Sequence, residues 1–340
     1  MTPATRSRIY LALQVALLVA VVWLVWHRLA PELKGVSAAD FARWRPAAGL
    51  LLLSTLGLTL LHLVQAFLWR RVVIDVGSPA PDARTTIRVY FVSGLARFIP
   101  GTLWQFAGLA ALGHEAGISP LAAAAAGAIG NIAFVATGAV FLAFTLPGVA
   151  GASELQLGVL VAALAVAGVF VFTGTSAGER VRAWVGRRAP ARLQPALELA
   201  GRIRPGHALA WTLGYGACWI LLGASYVGFV AAFVPGAAVH ARALAGIMAA
   251  SYLGGFLVLF APGGLGVREF IMIGLLTGIV PAPAAVVIAV AHRIWFFVAE
   301  GLALASFLLL PRRSGPRDDA AGPGGGSTGA GANRQALEVL

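Results

Sequence analysis

The chain has 340 residues, 59% hydrophobic and only 11% charged, under half of the roughly 25% charged residues usual in a soluble domain. That excludes an ordinary water-soluble fold and points to an all-α, polytopic membrane helix bundle. The net charge of +12, from 25 Lys and Arg against 13 Asp and Glu, sits in loops between apolar runs, as in cytoplasmic loops beside anionic lipid rather than in a nucleic-acid-binding module.

Six full spans are expected near 9–28, 47–69, 121–146, 155–173, 207–234 and 284–310, each with about the 20 apolar residues that a bilayer core requires. The first is preceded by Arg6 and Arg8 and ends in Trp26-His27-Arg28 with no small-x-small cleavage site, so it is expected to stay on as a span. Two further apolar stretches, about 86–112 and 244–280, are interrupted by Pro100-Gly101 and Pro262-Gly263. Proline removes a backbone donor and glycine loosens the chain, so a helix cannot run through either point. Both stretches are expected to be re-entrant helical hairpins, which membranes tolerate only where the broken backbone is covered by protein or faces water.

Loop charges set an orientation. Arg70, Arg71, Arg84 and Arg88 follow the second span, seven arginines crowd 177–206, and Arg312, Arg313 and Arg317 follow the last span, while 147–154 has no Lys or Arg. Both termini are therefore expected in the cytoplasm. Loop 28–46, with Arg28, Lys34, Arg43 and Arg45, runs against the rule. The basic loop 177–206 is expected to hold a short interfacial helix, with a solvated linker as the plainer alternative. Residues 311–340, rich in Gly, Ala and Ser, are expected to form a disordered cytoplasmic tail.

The two interrupted stretches sit 162 residues apart, and across 90–103 six of fourteen positions are identical at that shift, among them Tyr90/Tyr252, Phe98/Phe260 and Pro100/Pro262. Flanking spans follow the same shift. The expected plan is one transmembrane domain, 1–310, made of an inverted repeat, about 9–146 and 155–310. Broken helices in corresponding positions of two halves mark a carrier's binding site.

Candidate site residues cluster at the breaks: Arg97, Pro100, Gly101, Trp104 and Gln105 at the first, and Pro262, Gly263, Gly264, Gly266, Arg268 and Glu269 at the second. Ionisable side chains at membrane depth are costly and point to function. Arginine's donor fork and exposed amides at a helix start both suit phosphate, and Trp104 with Gln105 can lie against a headgroup. The structural alternative is that Arg268 merely neutralises Glu269 or binds a hairpin carbonyl, and that Arg97 lies at the cytoplasmic interface. In the last span, Arg293 is expected to face a central cavity. Asn131 stands opposite it at the 162 shift. His292 and Glu300 are possible coupling groups or structural partners; Glu300 lies two turns from Arg293, on the same face. The single cysteine, Cys218, permits no internal disulfide. No histidine spacing suggests a metal, and no nucleotide-binding motif or cofactor is expected.

Arg97-Phe98-Ile99-Pro100-Gly101 with Trp104-Gln105, and Pro262-Gly263-Gly264-Leu265-Gly266-Val267-Arg268-Glu269, resemble the two signature motifs of the lysylphosphatidylglycerol synthase transmembrane, or flippase-like, family. The likeness covers roughly residues 10–310. It implies lipid movement between leaflets of a bacterial inner membrane, with a phospholipid or a polyprenyl-phosphate lipid as partner, and an arginine in the last span. The full synthases' soluble aminoacyl-transfer domain has no counterpart in the short stretch after 310, so lysyl transfer is not expected and the chain is read as a non-enzyme. Two alternatives remain: an accessory protein that partners a lipid-linked glycosyltransferase or lipid-modifying enzyme, and an integral-membrane lipid-modifying enzyme using Glu269 or Glu300 as base.

Overall fold

The structure, a computed structural model, describes residues 45–98, 104–145, 168, 175–188, 190, 194–257, 264 and 266–310. The expected span at 9–28 and the tail at 311–340 lie outside the described residues, as do nearly all of loop 28–46 and of the span at 155–173. Pro100, Gly101, Pro262 and Gly263 do too.

Every regular element among the described residues is helical. Four helices are long and apolar enough to cross a bilayer: α1 (Ala48–Asp75), α4 (Pro120–Thr145), α7 (Pro205–Phe233) and α10 (Ala282–Ala305), the last prolonged by a 3₁₀ turn over Ser306–Leu309. Their outward faces keep large apolar side chains exposed, such as Leu52, Leu53, Leu56 and Leu60 on α1 and Ile294, Phe297 and Val298 on α10. A helix apolar all round is one that lipid, rather than water, surrounds.

The first interrupted stretch is α2 (Ala83–Gly94), a 3₁₀ turn over Leu95–Phe98, and α3 (Trp104–Glu115). Asp82 starts α2 by accepting a hydrogen bond from the Thr85 N–H at 2.7 Å, which satisfies one of the open amides of the first turn. The second is α8 (Ala241–Leu257) and α9 (Val267–Leu276). At 1.5 Å per residue these four helices rise about 18, 18, 26 and 15 Å, short of the roughly 30 Å hydrocarbon core. Shifted by 162, α2, α3 and α4 would occupy 245–256, 266–277 and 282–307; the helices found there span 241–257, 267–276 and 282–305.

Two expectations need correcting. The second span does not end at 69: α1 runs on to Asp75 and takes Arg70 and Arg71 into the helix. Arg70 Nε donates to the Pro81 carbonyl at 2.6 Å, and Arg71 Nε to Asp75 at 3.0 Å, one turn on, so the charged end extends the helix instead of stopping it. The basic loop holds two helices rather than one, α5 (Ser176–Gly186) and α6 (Gln194–Gly201), with Pro190 between them and Pro195 in the opening turn of α6. Proline fits a first turn, where its missing N–H has no intrahelical acceptor to lose.

The core forms where α7 packs antiparallel along α1, with α4 and α8 against α7, α3 against α4, and α10 against α1 and α9. The α1–α7 pair is joined at both ends. At one, the Ala47 N–H donates to the Ala232 carbonyl at 2.7 Å. At the other, Trp211 Nε1 donates to Asp75 at 2.9 Å and His207 Nδ1 lies 3.3 Å from the same carboxylate. Glycines of α4 let large side chains approach closely: a Cβ on Gly130 would stand 3.1 Å from Tyr215 Cζ, and one on Gly138 would stand 2.8 Å from Trp219 Nε1. That Trp219 nitrogen donates to the Phe134 carbonyl at 2.7 Å, and its ring stacks on Phe134. Gly127, Gly130 and Gly138 are thus packing residues, as small residues at membrane helix interfaces usually are. Cys218 is buried in the same core.

Candidate functional site

Both interrupted stretches deliver a charge to α10, and α10 answers each with the opposite sign. Arg97, at the end of the 3₁₀ turn after α2, pairs with Glu300. Glu269, in the first turn of α9, pairs with Arg293, whose Nε lies 3.2 Å from a Glu269 oxygen. Arg293 and Glu300 are seven residues apart, close to two turns, so both hairpins meet one face of one helix.

The local chain explains why Glu269 stands where it does. Gly266, with φ +82°, turns the backbone into α9, and its N–H donates to the other Glu269 oxygen at 2.8 Å. This is half of a capping box: glycine has no side chain to complete it. A carboxylate in a first turn also meets the positive end of the helix.

Arg268, one residue before, goes elsewhere. Its guanidinium lies over the Tyr252 ring of α8, 4.2 Å from the centroid. The stem passes between Gly255 and Gly264; a Cβ on either glycine would stand 2.9 Å from Arg268 Nε. Gly264, at φ +70°, holds a backbone conformation that side chains rarely adopt, and a Cβ there would also stand 3.0 Å from the Gly255 carbonyl oxygen. Two glycines therefore make the slot that admits this arginine. Its Nε is buried with no hydrogen-bond partner among the described residues. The structural alternative, in which Arg268 neutralises Glu269, is not what forms. Neighbours on a helix point about 100° apart and do not face each other, and Glu269 is taken by Arg293 instead.

Through these two ion pairs both interrupted stretches meet α10, with Arg268 next in the chain to the Glu269 that Arg293 holds. His292 borders Arg293 but points into the aromatic core, its ring against Tyr226 (5.8 Å), Trp295 (5.8 Å) and Phe296 (5.7 Å). Phe296 also meets His62 of α1 edge-on at 5.0 Å. Both imidazoles are buried, and a role as partner rather than headgroup ligand fits them.

The remaining expected site residues stand further out. Trp104 and Gln105 open α3, across the first break from Arg97; Trp104 is exposed and Gln105 half-buried. Asn131 is half-buried on α4, and its side chain makes no hydrogen bond among the described residues; α4 packs mainly on α1, α3, α7 and α8. Tyr252 and Gly255 were missing from the sequence-based site. Tyr252 had a signal, being one of the six identities at the 162 shift. The Asp75–Trp211–His207 junction had only the Arg71-to-Asp75 spacing. Among the described residues no three His, Cys, Asp or Glu side chains stand together as a metal cluster would require.

The pattern of short broken helices carrying Arg97 and Arg268-Glu269 agrees with a family match: residues 11–302 fit the model described as the lysylphosphatidylglycerol synthase TM region. The chain belongs to this family. No curated protein matches it. As a lysylphosphatidylglycerol synthase TM region protein with several apolar helices, it is a multi-pass integral membrane protein of a lipid-related family.

Proposed function

We propose that this family member moves a phosphate-bearing lipid between the leaflets of a bacterial inner membrane, without catalysing a covalent step. The observation that carries the proposal is the pairing of both hairpins with α10 through Arg97–Glu300 and Glu269–Arg293, beside an arginine, Arg268, that no carboxylate among the described residues neutralises. The positive end of α9 and the guanidiniums of Arg268 and Arg293 at its first turn suit a phosphate. The lipid is a phospholipid or a polyprenyl phosphate. The agreement of helix bounds at the 162 shift and the antiparallel α1–α7 pair support an inverted repeat, whose halves would expose the site to one leaflet and then the other. Both termini would then lie in the cytoplasm.

The test is leaflet exchange of labelled lipids in proteoliposomes. Exchange should fall to background in Arg268→Ala and in Arg293→Ala. Wild-type exchange rates in both folded variants would refute the assignment of the site.

An accessory role is the second reading, favoured by one observation: α5 carries exposed Val181 and Trp184, and Arg188 stacks over the Trp184 ring at 4.4 Å. This basic, apolar helix could hold a lipid-modifying enzyme. Replacing its arginines by glutamine should then abolish capture of that enzyme while Arg268→Ala does not.

A further inference from the structure

The outer face of α5 takes no part in the hairpin site, and its residues are sorted by chemistry around the helix. At about 100° per residue, Ala177, Val181, Trp184 and Val185 fall in one stripe about 100° wide. Val181 and Trp184 are exposed. The positions of Arg180 and Arg182 flank the stripe, and Glu179, the helix's one acid, stands on the opposite side. Arg188 lies over the Trp184 ring at 4.4 Å and brings a further charge to the stripe. Across 176–204 seven arginines meet two glutamates.

The chain also fixes the level of α5. Gln194 Nε2 at the start of α6 donates to the Gly186 carbonyl at the end of α5 at 2.7 Å. From there α6 rises only about 12 Å before it reaches Arg202. Arg202 donates to the Val76 carbonyl at 3.4 Å, and its stem lies on Gly77, where a Cβ would stand 3.2 Å from Arg202 Cδ. The next residue, Ile203, is buried in the core. The loop is thus fastened to the end of α1, just where α7 begins. Within its first turns α7 exposes Leu209 and Leu213, side chains that only lipid would cover. So α5 is held close to the bilayer surface.

We infer that α5 docks in the plane of an anionic lipid surface, on the leaflet where α1 ends and α7 begins. Its apolar stripe enters the headgroup boundary and its arginines meet lipid phosphates. Two observations favour lipid over a protein partner. Four side chains on an 11-residue helix fall far short of the roughly 800 Å² per partner in a stable protein interface. The surplus of arginine beside an apolar stripe complements anionic headgroups. This surface is separate from the hairpin site and does not depend on the transport reading.

The test uses the full chain in proteoliposomes of phosphatidylcholine alone, or of phosphatidylcholine mixed with phosphatidylglycerol. A nitroxide is attached at Val181→Cys, on the stripe, or at the exposed Ala183→Cys, on the far side. Cys218 is buried, and unsubstituted protein serves as the blank. Collision with oxygen reports lipid, and collision with a water-soluble nickel chelate reports solvent. In the anionic vesicles the Val181 probe should be open to oxygen and shielded from nickel, with the Ala183 probe open to nickel. Phosphatidylcholine alone, about 1 M salt, or Arg180→Gln with Arg187→Gln should each raise nickel access at Val181 several-fold. Nickel access at Val181 equal to that at Ala183 in anionic vesicles overturns the inference. Equal shielding in both lipid compositions overturns it too, leaving an apolar anchor indifferent to headgroup charge. Shielding of Val181 from both colliders, found only in native membranes, would assign α5 to a protein partner instead.

Discussion

The Arg97–Glu300 pair predicts an unequal response to losing either partner. The Glu300 side chain is 10% exposed and that of Arg97 33%. Arg97→Gln strands a carboxylate enclosed by the bundle, which should cost about 3 kcal/mol, the lower end for breaking a buried pair. Glu300→Gln leaves a guanidinium on a long, flexible stem that can swing toward water, and the new amide oxygen can still accept from it. That should cost about 1 kcal/mol, the value of an exposed pair. If the residues act as a pair, the double variant should cost about 1 kcal/mol instead of the about 4 kcal/mol of two independent sites. The assay is unfolding in mixed micelles under increasing SDS, followed through the nine tryptophans. Equal destabilisation by the two single variants, or a double variant that costs their sum, would refute the reasoning.

Three further outcomes follow from the packing. Gly138→Val pushes a side chain into Trp219 and should cost about 1–3 kcal/mol, as overpacking does; Gly49→Ala, with nothing within 4 Å of its Cβ, should leave the unfolding midpoint unchanged or raised. Asp75→Ala takes the acceptor from the buried Trp211 Nε1 and should lower stability by about 2 kcal/mol in the same titration, since the orphaned donor stays desolvated. Gly255→Ala closes the slot of Arg268 from one side and should cut leaflet exchange by about tenfold or more, because small displacements of a binding group are expensive; exchange at the wild-type rate would place Arg268 outside the path.

The helical class and the breaks were legible because both rest on strong local chemistry: apolar length for the spans, proline with glycine for the interruptions. The 162-residue shift carries the expected third span, 121–146, to 283–308, and α10 starts one residue earlier, at Ala282. Glu300 was readable as a partner of something, from its depth in an apolar span. Its partner was not, because Arg97 lies 203 residues away and no local pattern reports such a separation. The same limit hid the division of labour between Arg268 and Glu269. Adjacent in sequence, they left mutual pairing open as the structural alternative, but the helix points them apart, and only the packing of α8 and α10 decides which neighbour each meets. The helical end at Asp75 was misplaced because Arg70-Arg71 looks like a span boundary when the carboxylate one turn on is ignored.

The antiparallel pair α1–α7 has a mechanical consequence. It is riveted at one end by the Ala47–Ala232 backbone bond and at the other by the Asp75 carboxylate on Trp211 and His207. Two rivets roughly 30–40 Å apart at 1.5 Å per residue lock the pair against lengthwise shear, since any glide of one helix past the other breaks both together. The pair at the core is therefore held in lengthwise register.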